Sequence, residues 1–249
     1  MIVLFTDFGS NDIYVAQMKA ELYKKISPTI PIVDLLHDAP NFNITCSAHL
    51  LAALHERFPP NSTFLTIVDP GVGGKRRPIV VNADKKWFIG PDNGLISIIT
   101  DRASIANVWQ IDWMPEILSD SFHGRDLFAP IVADIANRNS LEGKLSKVNK
   151  LDVQLDSGDL NEIIYIDHYG NALTGVRAQG LADSDLIQVN HHVLHYRRVF
   201  SDANEGDPFW YRNSIGLVEI ALNQESAQIC LGLRIGDKID VLNLTNNDQ

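Results

Sequence analysis

The sequence predicts an α/β N-terminal domain, a mostly parallel sheet with flanking helices, followed by a small all-β barrel as C-terminal domain. Three observations carry this expectation. From Met1 to about residue 140, apolar runs alternate with helical patterns, as strands joined by crossover helices do. Residues 141–158 are polar, contain Gly, Ser and Lys, and lose that periodicity. Beyond them, short strand-like runs are separated by closely spaced turn signals. The expected boundaries are 1–145 for the α/β domain, 146–158 for a linker and 159–249 for the barrel.

The elements follow in order. IVLF opens as a strand, and a helix is expected from about Ile13 to Ile26. IPIVDLL is the next strand, before a helix from about Ile44 to Phe58. TFLTIV, PIVVNA and KWFIG read as strands, GLISIIT as a helix, ANVWQI as a strand, and a last helix follows His123. In the second half, IIYID, a turn at HYGN, LIQV, HVLHYRRVF, WYRNSIGLVEIAL and DKIDVLNL supply the short strands. The tail TNNDQ is expected to fray.

Composition narrows the function. A formal charge of -10 disfavours a nucleic-acid partner, because phosphate backbones are held by clustered Lys and Arg. No apolar run reaches the roughly 18 to 20 residues a membrane span needs, so no membrane partner is expected. MIVLFTDFG lacks a basic leader and a small-residue cleavage site; it reads as a first strand rather than a signal peptide, and a cytoplasmic protein is expected. Cys46 and Cys230 stand far apart with no CxxC, which argues for apolar fillers rather than a disulfide or zinc site.

In open α/β sheets, ligands bind beyond the carboxyl ends of the strands, so the polar residues just after strands are informative. Four such corners stand out: Thr6-Asp7-Phe8-Gly9 with Asp12, the loop Asp69 to Arg77, Pro91-Asp92-Asn93-Gly94, and His123-Gly124-Arg125-Asp126. Each has a plain alternative. Asp7 and Asp92 could cap helices. GVGG lacks phosphate-loop spacing and reads better as a turn. Arg125 and Asp126 could be a solvated pair, and His123 a satisfied structural histidine. What counts against the plain readings is that Asp, Arg and His recur together on what should be one rim. His191, His192 and His195 form HHxxH, but alternate strand positions point to opposite faces and no ligand spacing completes a metal site, so no metal is expected. HExxH, GxSxG and CxxC do not occur.

TDFGSNDIYVAQMKA, VDPGVGGKRR, IGPDNGL, FHGRDLFAP, DHYGNALT and NSIGLVEIA together resemble the S-adenosyl-L-methionine hydroxide adenosyltransferases, adenosine-forming hydrolases related to fluorinase and chlorinase enzymes. The motifs occur in family order from residue 2 to about 221. The resemblance implies an α/β domain plus a β-barrel domain, and a homotrimer with sites at subunit interfaces. It also implies a reaction of S-adenosylmethionine with water to give adenosine and methionine, with no cofactor and no metal. The family's Asp-Arg-His set falls on Asp69, Arg76 and His123; halogenating relatives lack it, which favours hydrolysis over halide transfer.

By the same resemblance, Asp7 holds the ribose hydroxyls, Asp12 and Asp167 the methionine ammonium, and Ser214 its carboxylate. Asn171 and the backbone from Glu219 to Leu222 suit the adenine edge; Phe42, Phe200 and Tyr169 are stacking walls, and Gly124 offers backbone N–H groups. Where a halogenating relative carries arginines, this chain has Ile215 and Leu222. The chemistry stands on its own terms as well. A sulfonium departs as a neutral thioether, so only the water needs help. Arg76 would favour an anion, while Asp69 and His123 orient the attacking oxygen; His123 is one choice of general base. A binding module with negligible turnover, a metal-dependent phosphoesterase and halide-dependent adenosyl transfer are the competing readings.

Overall fold

The computed structural model describes residues 1–243, and the tail expected to fray lies outside them. The chain divides into two compact units, Met1–Ser157 and from Gly158 onward.

In the first unit, β1 (Ile2–Thr6) leads to α1 (Ile13–Lys25), which starts where the Asp12 carboxylate accepts the Ile13 N–H. β2 (Ile32–Leu36) and α2 (Ile44–Leu54) follow, the helix capped by Asn43 and ending in a 3-10 turn, His55–Arg57. Then come β3 (Thr63–Ile67), β4 (Pro78–Ala83), β5 (Lys86–Pro91), α3 (Ser97–Arg102) and β6 (Ala106–Ile111). A π turn, Gly124–Phe128, runs into α4 (Ala129–Asn137), and β7 (Leu145–Val148) closes the sheet. The order is β2-β1-β3-β5-β4-β6-β7. β1 and β3 are buried along their whole length, as their predominantly apolar runs require. Met18 and Leu22 of α1 and Ile131 and Val132 of α4 pack with Ile2, Leu4, Leu65 and Ile67 into one core.

A mostly parallel sheet is not what forms. β1–β2, β1–β3 and β3–β5 are parallel, but β4–β5, β4–β6 and β6–β7 are antiparallel. The cause is local. Two residues, Asp84 and Lys85, join β4 to β5 with φ of 43° and 68°, and a two-residue connection can only fold the chain back on itself. Asp84 secures the turn by accepting the N–H groups of Ser104 and Ile105.

The second unit holds β8 (Leu160–Ile166), β9 (Ala172–Arg177), β10 (Leu186–Val189), β11 (His192–Tyr196), β12 (Pro208–Arg212), β13 (Leu217–Leu222), α5 (Ala227–Leu231) and β14 (Ile239–Leu242). Its sheet, β14-β10-β11-β12-β13-β9-β8, nearly closes, because Ile163 N–H donates to the Asp237 carbonyl and Gly236 N–H to the Ile163 carbonyl. The all-β expectation needs correcting at one place. Ser226 caps the short α5 by accepting the Ile229 N–H, and Gly232 ends it in the left-handed region at φ 65°. β11 and β12 pair in parallel, through the long connection between them.

Candidate active site

Parallel pairing of β1 with β3 brings their carboxyl ends level, Thr6 beside Ile67, and the next residues of each strand point onward. Asp7 N–H donates to the Ile67 carbonyl at 3.3 Å, so Asp7 and Asp69 emerge on the same rim. The loop after β3 reaches the loop before α4 because Gly73, at φ 75°, has no side chain: a Cβ there would lie 2.6 Å from the Asp120 carbonyl. Gly124 does the same below, where a Cβ would lie 2.8 Å from Ile67.

These approaches assemble three groups distant in the chain. Arg76 donates from Nε to Asp69 Oδ2 at 2.9 Å, and from Nη2 both to the same oxygen and to His123 Nδ1 at 3.2 Å. The Asp69 side chain is 4% exposed and that of Arg76 10%. The guanidinium lies over the Phe128 ring, 5.5 Å from its centroid. Asp69 Oδ1 is buried with no hydrogen-bond partner. Because a guanidinium only donates, His123 Nδ1 must accept, and the neutral imidazole then carries its proton on Nε2. Burial, and then the neighbouring Arg76, lower the His123 pKa below its ordinary value, keeping the ring neutral at pH 7. Burial raises the Asp7 pKa; the Phe42 backbone N–H opposes it, and Asp69 adds to it.

A cavity of about 590 Å³ opens on this rim, within the usual range for small-molecule sites. Asp7, Phe42, Asp69, His123 and Gly124 line it, while Arg76 stands behind Asp69 and His123. Phe42 is 77% exposed and sits at φ 60°, a conformation a bulky residue rarely holds. Tyr14, Gln17 and Arg125 also line the cavity. Tyr14 and Gln17 were missed as site residues, although their three-residue spacing on the first turns of α1 puts both on one face. Asp12 does not line this cavity; its carboxylate caps α1.

The second unit carries its own concavity, about 640 Å³, lined by Asp167, Tyr169, Asn171, Phe200 and Leu222 among others. Asp167 is held by the N–H groups of Tyr169 and Asn171 and by the Asn171 amide. Phe200 packs edge-on against Phe209 and Tyr211. Glu219 is buried behind this wall, where Tyr211 Oη and Asn213 Nδ2 donate to it and burial raises its pKa. Ser214 is exposed in the turn between β12 and β13 and does not line the concavity. Asp92 lines neither cavity: its Oδ2 is paired with Arg77 and accepts the Asp152 N–H, while its Oδ1 is buried without a partner. Among the described residues, no group of three His, Cys, Asp or Glu is placed to hold a metal ion.

A mixed α/β unit with a carboxylate–guanidinium–imidazole chain at a strand-end cavity, joined to a near-closed barrel with an aromatic concavity, defines a small-molecule enzyme rather than a scaffold. Residues 2–144 match the SAM hydroxide adenosyltransferase N-terminal domain and residues 161–240 the corresponding C-terminal domain. The chain belongs to the SAM hydroxide adenosyltransferase family. It is 32% identical to the (R)-S-adenosyl-L-methionine hydrolase of Thermus thermophilus, with 97% of this chain and 99% of that protein covered. It is 30% identical to the enzyme of that name from Methanocaldococcus jannaschii, covering 97% and 95%. Its fold is similar to the crystal structure of an uncharacterized conserved protein from Thermotoga maritima, with a TM-score of 0.88 at 27% identity over 98% of this chain and all of that one.

Proposed function

We propose that this protein hydrolyses S-adenosyl-L-methionine to adenosine and L-methionine, by in-line attack of water on the ribose C5′. The water oxygen bonds to C5′ as the C5′–S bond breaks, and its electron pair leaves on sulfur as a neutral thioether. One proton is released per turnover.

The observation that carries this reading is the unpartnered, buried Oδ1 of Asp69 beside Arg76 and His123. A buried carboxylate oxygen without a donor is costly, and a water admitted beside it on substrate binding would remove that cost. Asp69 Oδ1 accepts a hydrogen from that water and His123 Nε2–H donates to its oxygen, so the oxygen is aimed and its proton has an acceptor. With Nδ1 accepting from Arg76, His123 orients water rather than taking its proton. Arg76 does not line the cavity; it fixes both partners and stabilises negative charge developing in front of it.

Asp7 suits the ribose diol, with Phe42 as a wall of the same cavity. Asp167, Asn171, Phe200 and Tyr169 suit the ammonium and adenine groups in the other concavity. The proposed assembly is the one the resemblance implies, a homotrimer with sites at subunit interfaces. The names of the relatives specify the (R) compound, and L already fixes the carbon centre, so the sulfonium of (R) configuration is the substrate form proposed here too. Removal of that form is a task compatible with a cytoplasmic enzyme.

The test is incubation with separated sulfonium epimers in ¹⁸O-water, with and without EDTA. The expected result is adenosine labelled at its 5′ oxygen, methionine in equal amount, and no effect of the chelator. Binding without product would leave a binding module, and loss of turnover with EDTA would return metal chemistry.

A further inference from the structure

The Pro91-Asp92-Asn93-Gly94 corner lies at the carboxyl end of β5, yet it lines neither cavity. Its place in the sheet explains why the chain keeps it there. The order β3-β5-β4 puts β5 between the other two, parallel to β3 and antiparallel to β4. The end of β3, the end of β5 and the start of β4 therefore meet on one edge, and the connection from β3 to β4 has to pass over the end of β5. That connection carries Asp69 and Arg76. Its residues 70–75 are exposed, so burial does not hold them in place.

The corner grips both ends of this loop. Asn93 Nδ2 donates to the Val68 carbonyl at 2.8 Å, immediately before Asp69. Asn93 Oδ1 accepts the Leu95 N–H at 3.2 Å, which keeps the amide nitrogen turned toward Val68. Immediately after Arg76, the Asp92 N–H donates to the Arg77 carbonyl at 2.8 Å, and Arg77 Nη2 donates to Asp92 Oδ2 at 2.7 Å. The Asp92 side chain is 0% exposed, so this charge-assisted bond is shielded from water. Residues 150–152 close the clamp: the Lys150 carbonyl accepts from Arg77 Nη2 at 3.0 Å, and Asp152 pairs with Arg77 Nε at 2.6 Å. α3 begins without a side-chain cap, so neither Asp92 nor Asn93 serves as the helix cap that the sequence allows.

We infer that Asn93, Asp92 and Arg77 are positioning residues, which clamp the two ends of the Asp69–Arg76 loop and so hold Asp69 and Arg76 in line with His123. The inference rests on the proposed reaction, in which those groups aim the water, and one readout of its test needs no turnover. Asn93→Ala releases the first anchor, Arg77→Ala releases the second, and Arg77→Lys keeps the charge pair with Asp92. Each is assayed well below its melting temperature for kcat, KM and adenosine affinity, and Asn93→Ala is also made in the Asp69→Asn background. The titration of the His123 ring is followed by NMR in wild type and Asn93→Ala. Burial and then Arg76 depress the His123 pKa, and Arg76 outweighs the opposing Asp69, so a loop that slackens lets the midpoint rise.

The expected result is a fall in kcat of roughly 10- to 100-fold in Asn93→Ala and Arg77→Ala, with KM and adenosine affinity within about twofold of wild type. Arg77→Lys recovers part of it. In the Asp69→Asn background the same Asn93→Ala change costs less than about threefold, because the group it positions no longer functions. The His123 midpoint rises in Asn93→Ala. Should Arg77→Ala fail to fold, Asn93→Ala decides alone, since it leaves no buried charge unpaired. A lower melting temperature with kcat and the His123 midpoint unchanged would make the corner a fold anchor only, and an undiminished loss in the Asp69→Asn background would mean that it does not act through Asp69; either overturns the inference. If wild type shows no turnover, the hydrolytic reading falls, and the His123 midpoint still decides whether the clamp holds the loop.

Discussion

Replacing Asp69 by Asn keeps the shape of the side chain and changes only what its oxygens do. In Asp69→Asn the amide oxygen must face Arg76, since an NH₂ group there would meet another donor. The amide nitrogen then takes the place of Oδ1, and an unpartnered acceptor becomes a donor. Two consequences follow, and they can be read separately. The pair with Arg76 is buried, at 4% and 10% exposure, and breaking such a pair costs about 3–5 kcal/mol. The amide oxygen keeps both hydrogen bonds from Arg76 and loses only the charge, which reduces this to roughly 2–4 kcal/mol, a fall in melting temperature of roughly 5–15 °C. Loss of the oriented acceptor should lower kcat by roughly 10²- to 10⁴-fold. Adenosine formation is followed by chromatography well below the melting temperature, with calorimetric binding of adenosine as the check that the ribose cavity is intact. A variant that melts lower but turns over within about threefold of wild type would refute the assignment, leaving Asp69 as an anchor for Arg76.

Three further outcomes follow from the geometry. His123 works unprotonated, and burial and Arg76 hold its pKa below the usual histidine value; the rate should stay level through neutrality and fall only below about pH 6.5. An NMR titration of its ring with a midpoint above 6.5 would contradict that ordering. Phe42 is exposed, so Phe42→Ala should leave the melting temperature within about 2 °C while weakening binding roughly tenfold, as loss of one stacking wall does; a lower melting temperature with unchanged binding would make Phe42 structural. His55 sits edge-on to Phe64 and Phe88, and burial pushes its pKa down to about 4. A depressed folded pKa means that the stability contribution is complete above the unfolded value of about 6.5 and is lost as pH falls through about 4, roughly 3 kcal/mol in all. Urea unfolding should therefore show wild type losing more stability than His55→Leu between pH 7 and 4, and parallel losses would count against it.

Much of the site was legible because its signals are local. Asp7 and Asp69 follow predominantly apolar runs, and a run of five buried residues in a parallel strand ends at the rim where ligands bind. Asp92 follows an apolar run in the same way, yet its Oδ2 is taken by Arg77 and the Asp152 N–H and it lines neither cavity, and nothing in its local sequence distinguishes it from Asp7. The two-residue turn at Asp84 and Lys85 escaped notice because it lacks the Asn-Gly or Asp-Gly pair that advertises such turns, and with it went the antiparallel half of the first sheet.

The sequence by itself determined which residues end strands, the order of the family's motifs, and hence the presence of Asp, Arg and His in one chain. These depend on patterns within a few residues, or on the composition of motifs. Only the tertiary structure decided that Arg76 stands behind Asp69 and His123 rather than in the cavity, that His123 accepts on Nδ1, and that one oxygen of Asp69 is left unpartnered. Those facts depend on a loop and a π turn meeting where two glycines leave room, contacts made across 47 residues, and hydrogen-bond direction is set only once both partners are in place.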